Sequence, residues 1–480
     1  MPPDIRITGA APRRGHKLRL ATLLAGAAVL GGCASFSPDG GFGPVEQTAK
    51  ERLGKELRWA RSEADLDSID KRVGELLSKP LTVDDAVQLA LLNNRGLQAT
   101  FQELGITEAE VVQAGRVPNP GFSFGRNSRG DEREIERGLH FNLARLIALP
   151  YIGQMEARRF EQTRAMVAMS VLALAADTRK AYYYALAAEE SVRYMRQVQL
   201  AAEASSELAR RMAQVGNFNK LQRAREQVFY ADASLNLARA EQAQRATRER
   251  LTRLLGAWGT QTQFTLPERL PDLPKDVTAQ PDIERVALAQ RLDVQGARLA
   301  AEQTARNLGL TRTTRFINVL ELGVLRNSSN EAPTQRGWEI GIELPLFDWG
   351  GARVARAEAI YMQTVHRAAE TAVNARSEVR EAYAGYRSAF DIARHHRDEI
   401  VPLRQRIAEE NVLRYNGMLI GVFELLADAR AQIVSVNNAI ESLRDFWLAQ
   451  ADLDMALVGK PSLAMPGGPA TTAEPGGAAH

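Results

Sequence analysis

The sequence predicts a mainly α-helical protein with a small β part, arranged as two structural repeats. Three observations support this fold class: long segments without Gly or Pro, short segments of alternating polarity, and matching motifs about 200 residues apart. Aromatic residues make up only 6% of the 480 residues, while Ala, Arg, Glu, Leu and Gln are abundant. This composition favours long helices that pack through small residues over a thick globular core.

The amino-terminal segment has the pattern of a bacterial export signal that ends at Cys33. Leu20 to Gly32 is apolar and too short to span a bilayer. Leu30-Gly31-Gly32-Cys33 resembles a lipobox, which implies cleavage before Cys33 and lipidation of that residue; Ala34 by the same resemblance favours the outer membrane. The preceding positive charges are Arg13, Arg14, Lys17 and Arg19. We therefore expect residues 1–32 to be a lipoprotein signal peptide. The alternatives are cleavage elsewhere and a twin-arginine signal.

The charge balance and the single cysteine exclude two classes of protein. Lys and Arg number 61 against 58 Asp and Glu, for a net charge of +3. This balance gives no basis for nucleic-acid binding. Because Cys33 is the only cysteine, no intramolecular disulfide can form.

Matching motifs in the same order predict an internal duplication. The pairs are Leu97-Gln98-Ala99 with Val294 to Ala297, Arg126-Asn127-Ser128 with Arg326-Asn327-Ser328, and Ala224 to Gln227 with Ala429 to Gln432. We assign residues 33–80 to an N-terminal spacer and equatorial segment, 81–260 to repeat 1 and 282–459 to repeat 2. A Pro-rich connector covers 261–281, and 460–480 is expected to be a disordered tail. Pro80 and Thr82 are expected to open the first helix of repeat 1.

Each repeat is expected to contain a helix, two extended segments, a very long helix and a returning helix. Gln154 to Val215 contains neither Gly nor Pro, and apolar residues recur there every seven positions, as in coiled coils. The two seams are Phe160, Val167, Leu174, Ala181, Ala188, Met195, Ala202 and Ala209, and Val365, Ala372, Val379, Tyr386, Ala393, Ile400 and Ile407. Asn217 to Leu255 and Val422 to Val458 are the predicted returning helices. Pro402 should interrupt the long helix of repeat 2 alone.

Gly337 to Phe347 alternates like a strand, and its apolar side resembles the lipid face of a transmembrane strand. Trp338, Ile340, Ile342, Leu344 and Leu346 lie on that side, opposite the two glutamates. A half-buried strand in a water-soluble sheet is the alternative. Its hairpin partner is expected at Arg315 to Leu325, across a loop at Arg326 to Arg336.

A shorter hairpin is expected in repeat 1, across a charged, solvated loop at Arg126 to Gly138. Its strand residues are Phe122, Phe124, Leu139, Phe141 and Leu143. Four strands cannot close a barrel, and lipid does not tolerate open sheet edges. Several chains must therefore contribute strands to one barrel if these hairpins enter a membrane.

Together these features resemble the TolC-like outer-membrane efflux proteins over about Pro80 to Gly459. Local matches are Glu343 to Asp348 with Gly351, Arg414-Tyr415-Asn416 with Gly417, and the Ala429 to Gln432 motif. The resemblance implies long antiparallel coiled-coil helices and a homotrimer whose twelve strands form one transmembrane β-barrel. It also implies a periplasmic tunnel that docks an adaptor (a membrane fusion protein) and an inner-membrane pump, and that is closed at its helical tip.

The resemblance also suggests which residues form that periplasmic tip. Counted from Tyr415, Glu424 meets an acidic position of the family, and Asp428 lies one place from a second one. Lys220 is the counterpart of Glu424 in repeat 1, so a trimer would bring three lysines and three glutamates together. Gly216 and Gly417 mark the two turns. The alternative is that these are solvated turn residues.

No cofactor, metal site or catalytic motif is expected. His395 and His396 point about 100° apart on a helix and lack a ligand cage. Met166 and Met169 share a helical face, where packing is expected rather than Cu(I) binding. The resemblance to the TolC-like proteins implies a non-enzymatic duct, part of a tripartite efflux or type I secretion system, that passively conducts drugs, metals or other solutes across the outer membrane. The alternative is a lipid-anchored periplasmic coiled-coil scaffold or adaptor.

Overall fold

The structure is a computed structural model that describes residues 35–277, 279–314, 319–343 and 346–461. The helices are α1 (Gly43–Leu53), α2 (Glu63–Leu77), α3 (Val83–Asn93), α4 (Arg95–Ala114), α5 (Leu143–Gln214), α6 (Lys220–Leu255), α7 (Ile283–Gln290), α8 (Leu292–Thr314), α9 (Gly351–His395), α10 (Val401–Asn416) and α11 (Val422–Val458). The strands are β1 (Gly121–Arg129), β2 (Glu132–Asn142), β3 (Leu320–Ser329) and β4 (Gln335–Ile342). Cys33 and most of the predicted tail lie outside the described residues.

The duplicated plan is confirmed. Repeat 1 runs α3, α4, β1, β2, α5 and α6, and repeat 2 runs α7, α8, β3, β4, α9, α10 and α11. Thr82 caps α3 by accepting the amide of Asp85, as its place before the helix predicts. In repeat 2 the long helix passes through a π-helical turn at His396–Ile400. Pro402 is the second residue of the next helix and has no N–H to donate, so the interruption predicted at this proline is confirmed.

The long helix of repeat 1 begins earlier than the sequence predicts. Helix α5 has 72 residues and includes Pro150, whereas a start at Gln154 was expected. Asn142 accounts for the early start, because its Oδ1 accepts the amide of Arg145 at 2.8 Å and so caps the first turn. Leu143, predicted as a strand residue, is the first residue of this helix.

Both hairpin loops are shorter in the structure than the sequence predicts. Strands β1 and β2 are joined by Gly130 and Asp131 alone, with Gly130 at a φ of 63°. Most of the charged segment expected to be a loop is therefore strand, and from Glu132 to Arg137 its charges alternate in sign with the two-residue period of a strand. The second turn covers only residues 330–334.

Strand β4 ends earlier than predicted, at Ile342. Leu344 lies outside the described residues, and Leu346 is in an exposed bend instead of the strand. Pro345 in the sequence lacks the N–H that a continued ladder requires. The predicted start of β3 at residues 315–318 also lies outside the described residues.

The described chain divides into two compact units. One contains the sheet with residues 104–161 and 300–363, and the other contains residues 42–103 and 162–299 together with residues from 364 onward. The second unit holds an apolar core that includes Leu89, Leu186 and Leu251. The seam residues predicted every seven positions are buried or half-buried, with the exception of Ile407, which is exposed. Among the described helices, none is both long enough and apolar enough to cross a membrane.

Candidate functional site

The four strands form one antiparallel sheet in the order β1-β2-β3-β4. The pairing of β2 with β3 joins the hairpins of the two repeats. The register places Leu139 opposite both Phe122 and Val324, and Val324 opposite Trp338, so one row of apolar side chains crosses all four strands. The predicted alternation of β4 is therefore part of a face that both repeats build.

This apolar face is exposed. Trp338 has 72% of its surface accessible and Phe122 has 69%. The other exposed large apolar residues of the face are Phe124, Leu139, Val324, Ile340 and Ile342. A sheet in a water-soluble protein buries such a face against a core. Here the apolar side chains lack a covering layer within their own unit.

The opposite face carries a row of polar side chains that contact one another. Ser123 Oγ lies 2.8 Å from His140 Nε2, and His140 Nδ1 lies 3.2 Å from Glu339 Oε1. Two glycines provide the space: a Cβ at Gly138 would lie 2.8 Å from His140 Nε2, and one at Gly323 would lie 2.6 Å from Glu339 Cγ. Sequence reasoning missed this row, although glycines inside alternating strands signal such close approaches.

Charge is segregated between the two faces, except that Arg129 lies on the acidic face opposite Glu132. Alternation along the strands and the register place Glu132, Glu134, Glu136, Glu321 and Glu339 on the face of His140. By the same alternation, the apolar face carries Arg126, Arg133, Arg137, Arg326 and Arg336. The sheet thus has an acidic, hydrogen-bonded face and an apolar face with an arginine cluster.

The helical tip of repeat 1 is a tight turn between α5 and α6. Gly216 adopts a φ of 81°, and the amides of Asn217 and Phe218 both donate to the carbonyl of Met212. Asn219 and Gln222 form a reciprocal capping box at the start of α6. Lys220 is the first residue of that helix and is exposed.

The tip of repeat 2 has a different turn between α10 and α11. Gly417 is the C-cap of α10 but has a negative φ, and the left-handed conformation falls on Met418, at a φ of 58°. Met418 is 93% exposed. Tyr415 is exposed in the last turn of α10, and Glu424 is exposed in the first turn of α11.

The predicted tip charges are at the tips but are not paired with one another. Within the described part of the chain, neither Lys220 nor Glu424 has an ion-pair partner. Asp428 lies further along α11, and its carboxylate accepts a hydrogen bond from the side-chain amide (Nδ2) of Asn411 on α10. Asp428 therefore links two helices of its own repeat.

A buried ion pair near the tips was missed by sequence reasoning. Glu226 is only 1% exposed and accepts hydrogen bonds from Ser205 Oγ at 2.8 Å and Arg430 Nη2 at 3.0 Å. The guanidinium of Arg430 also lies 4.2 Å from the ring centre of Phe229. The pair joins α6 of repeat 1 to α11 of repeat 2. Both residues lie in the duplicated Ala-Arg motif, and this duplication is the sequence signal that could have indicated the pair.

The residues considered for metal binding are not gathered into a site. His395 Nδ1 lies 3.2 Å from Glu399 Oε2, one turn along its own helix. Met166 is exposed, whereas Met169 lies beside Gly459. No cluster of three or more His, Cys, Asp or Glu side chains suited to a metal ion occurs in the described ranges.

Comparison with known proteins supports the same architecture. The chain is 26% identical over 283 residues to the cobalt-zinc-cadmium resistance protein CzcC of Cupriavidus metallidurans, a match that covers 56% of this chain and 64% of that protein. No family model matches the chain.

Solved structures of outer-membrane channels match more of the chain. The structure of CusC aligns with a TM-score of 0.66 at 18% identity, over 79% of this chain and 92% of CusC. The Campylobacter jejuni outer membrane channel CmeC aligns with a TM-score of 0.67 at 16% identity, over 85% of this chain and 91% of CmeC. The chain therefore has the fold of the TolC-like outer-membrane efflux proteins, as the sequence resemblance predicts.

Proposed function

We propose that this protein is the outer-membrane channel of a tripartite efflux or type I secretion system. It conducts solutes passively from a periplasmic adaptor and an inner-membrane pump to the exterior. The observation that carries the proposal is the exposed apolar face of the four-stranded sheet. Lipid would cover side chains such as Trp338 and Ile340, which are exposed to water in the single chain.

The open sheet edges support a homotrimer. Strands β1 and β4 are the outer members of the described sheet, and their unpaired backbone groups would be costly in hydrocarbon. Three copies supply twelve strands, so that β4 of one chain pairs with β1 of the next and no edge remains. The acidic face then lines the lumen.

The cargo is proposed only as a broad class. The name of the CzcC relative refers to cobalt, zinc and cadmium resistance. Metal cations are therefore one candidate cargo, beside drugs and other solutes. The carboxylates of the proposed lumen face would favour cations over anions.

The alternative, a lipid-anchored periplasmic scaffold, requires that protein rather than lipid cover the apolar face of the sheet. A sheet in water would need another layer over the apolar face, and the unit that contains the sheet provides none for Phe122 or Trp338. The fold match to outer-membrane channels also favours the duct.

Arginine substitutions on the two faces of β4 test the proposal. Ile340→Arg and Ile342→Arg should each destabilise the membrane-inserted state by about 2–4 kcal/mol if these side chains meet mid-bilayer lipid. Gly341→Arg is the matched control, because residue 341 lies between them and faces the acidic side. The readout is the yield of heat-resistant trimer in outer-membrane fractions. Normal assembly of the two isoleucine variants would reject the duct.

We also propose that the two helical tips close the periplasmic end of the channel. In a trimer, Lys220 and Glu424 would alternate around one ring and attract each other across chains, while Gly216 and Gly417 shape the turns and Asp428 fixes α11 to α10. Replacement of Tyr415 and Glu424 together should raise single-channel conductance in planar bilayers. Unchanged conductance would remove the gating role of this pair.

Cys33 is proposed as a lipid attachment site that complements the barrel. With both the barrel and the lipid attached to the membrane, loss of either one would leave the protein membrane-bound. Cys33→Ser with signal cleavage preserved should therefore lower trimer yield more than conductance. Complete loss of membrane association would instead favour the tethered scaffold.

A further inference from the structure

The arginine cluster on the apolar face has no ion-pair partner among the residues that the structure describes. Arg137 lies opposite Arg326, which lies opposite Arg336, so three guanidinium groups share one cross-strand row. Directly opposed like charges destabilise a sheet. In the described ranges no carboxylate lies within ion-pair distance of these three residues, and Arg137 Nη1 lies 3.5 Å from Ser328 Oγ.

The position of this row indicates what neutralises it. It directly follows the apolar row of Leu139, Val324 and Trp338, on the side of the hairpin turns. Arg126 and Arg133 lie still closer to those turns. The strand ends near the apolar rows connect to the helices instead. An apolar band that ends in a belt of exposed arginines matches the boundary between acyl chains and anionic headgroups.

We propose that Arg137, Arg326 and Arg336, flanked by Arg126 and Arg133, bind the phosphate groups of outer-leaflet glycolipid, with the lipid A headgroup as the ligand. This inference rests on the proposed function, because it requires the hairpin turns to face the exterior. Guanidinium groups donate paired hydrogen bonds to phosphate, and a polyanionic headgroup relieves the repulsion within the row. The bound glycolipid then ties the hairpins of both repeats together at the membrane surface.

The test compares the lipid bound by purified trimer variants. Wild-type protein in detergent is incubated with bisphosphorylated lipid A, and native mass spectrometry counts the retained molecules. The triple variant R137Q/R326Q/R336Q should bind lipid A about a hundredfold more weakly, since each basic side chain near an anionic surface contributes about fivefold to binding. The triple lysine variant should keep part of the binding.

Arg129→Gln is the matched control, because Arg129 is exposed on the acidic face opposite Glu132 and should leave lipid retention unchanged. Dephosphorylated lipid A should bind weakly, and excess inorganic phosphate should not displace the intact lipid. Equal retention by wild-type and triple-glutamine protein, or no preference for the phosphorylated lipid, would overturn the inference. Insertion and conductance in phosphatidylcholine bilayers are measured in parallel. A protein that conducts but shows no preference for lipid A refutes this inference alone. A protein that fails to insert refutes the proposed function too.

Discussion

The break between the first two helices of each repeat has the same backbone conformation but different side-chain contacts. A single residue separates α3 from α4 in repeat 1 and α7 from α8 in repeat 2. Asn94 has φ −69° and ψ 114°, and Arg291 has φ −67° and ψ 124°. Each amide donates to the carbonyl four residues earlier. The backbone break is therefore the same in both copies.

Both side chains reach the end of the returning helix of their own repeat. Asn94 Nδ2 donates to the carbonyl of Leu254 at 2.9 Å, and Arg291 Nη1 donates to that of Ala456 at 3.3 Å. Arg291 also donates to Asp293 and Glu378, each at 2.6 Å. The neutral amide of Asn94 is satisfied by backbone groups, the carbonyl of Leu254 and the amide of Leu97, whereas a buried guanidinium requires carboxylates. The comparison shows that the duplicated backbone persists while its anchoring changes from neutral to ionic.

Replacement of Arg291 should have the largest effect. Arg291 is only 1% exposed, so Arg291→Met leaves two carboxylates facing each other without their cation. The loss should lower the free energy of unfolding by about 3 kcal/mol. Asn94→Ala removes neutral hydrogen bonds and should cost about 1 kcal/mol. Urea unfolding in detergent, followed by circular dichroism, measures both. Equal losses would mean that the ionic network adds nothing at the break between the helices.

The sequence predicts the elements of both repeats better than it predicts such contacts. Long segments without Gly or Pro specify helices by themselves, and the seam of α5 follows from spacing alone. The high charge of the segment after Arg126 predicts a loop, and this prediction is wrong because the charges from Glu132 to Arg137 alternate in sign with the period of a strand. Partners such as Glu378 for Arg291 lie far away in the chain, so no local pattern reports them.

The ion pair between the repeats should have the second largest effect. Glu226 corresponds to Ala431 in the duplicated motif, and Arg225 corresponds to Arg430. Glu226→Ala makes repeat 1 resemble repeat 2 and leaves the guanidinium of Arg430 without its acceptor. Because Arg430 is partly exposed, water replaces part of the interaction, and a loss of about 1–2 kcal/mol is expected.

Arg225→Ala is the control for this variant, because Arg225 is exposed. It should change the stability by less than about 0.5 kcal/mol. The same urea titration measures both variants. If Arg225→Ala proved as damaging as Glu226→Ala, the contact between the repeats would not be the source of the effect.

Substitutions at the two tips should have the smallest effects on stability, and the effects should be opposite in sign. Each turn contains one residue in the left-handed region, Gly216 in repeat 1 and Met418 in repeat 2. A side chain in that region costs about 1 kcal/mol relative to glycine. Gly216→Ala should therefore destabilise the protein by about that amount.

Met418→Gly should relieve the corresponding strain, but glycine also gives the unfolded chain more freedom, so the expected gain is below about 1 kcal/mol. Met418 is almost fully exposed, and little packing is lost when its side chain is removed. Thermal unfolding in detergent, followed by circular dichroism, measures the two shifts under one set of conditions. A destabilised Met418→Gly variant would show that the methionine makes contacts, such as those between chains of the proposed trimer, that outweigh its backbone strain. The tip of repeat 2 would then be held by its side chains, and that of repeat 1 by glycine and the Asn219 cap.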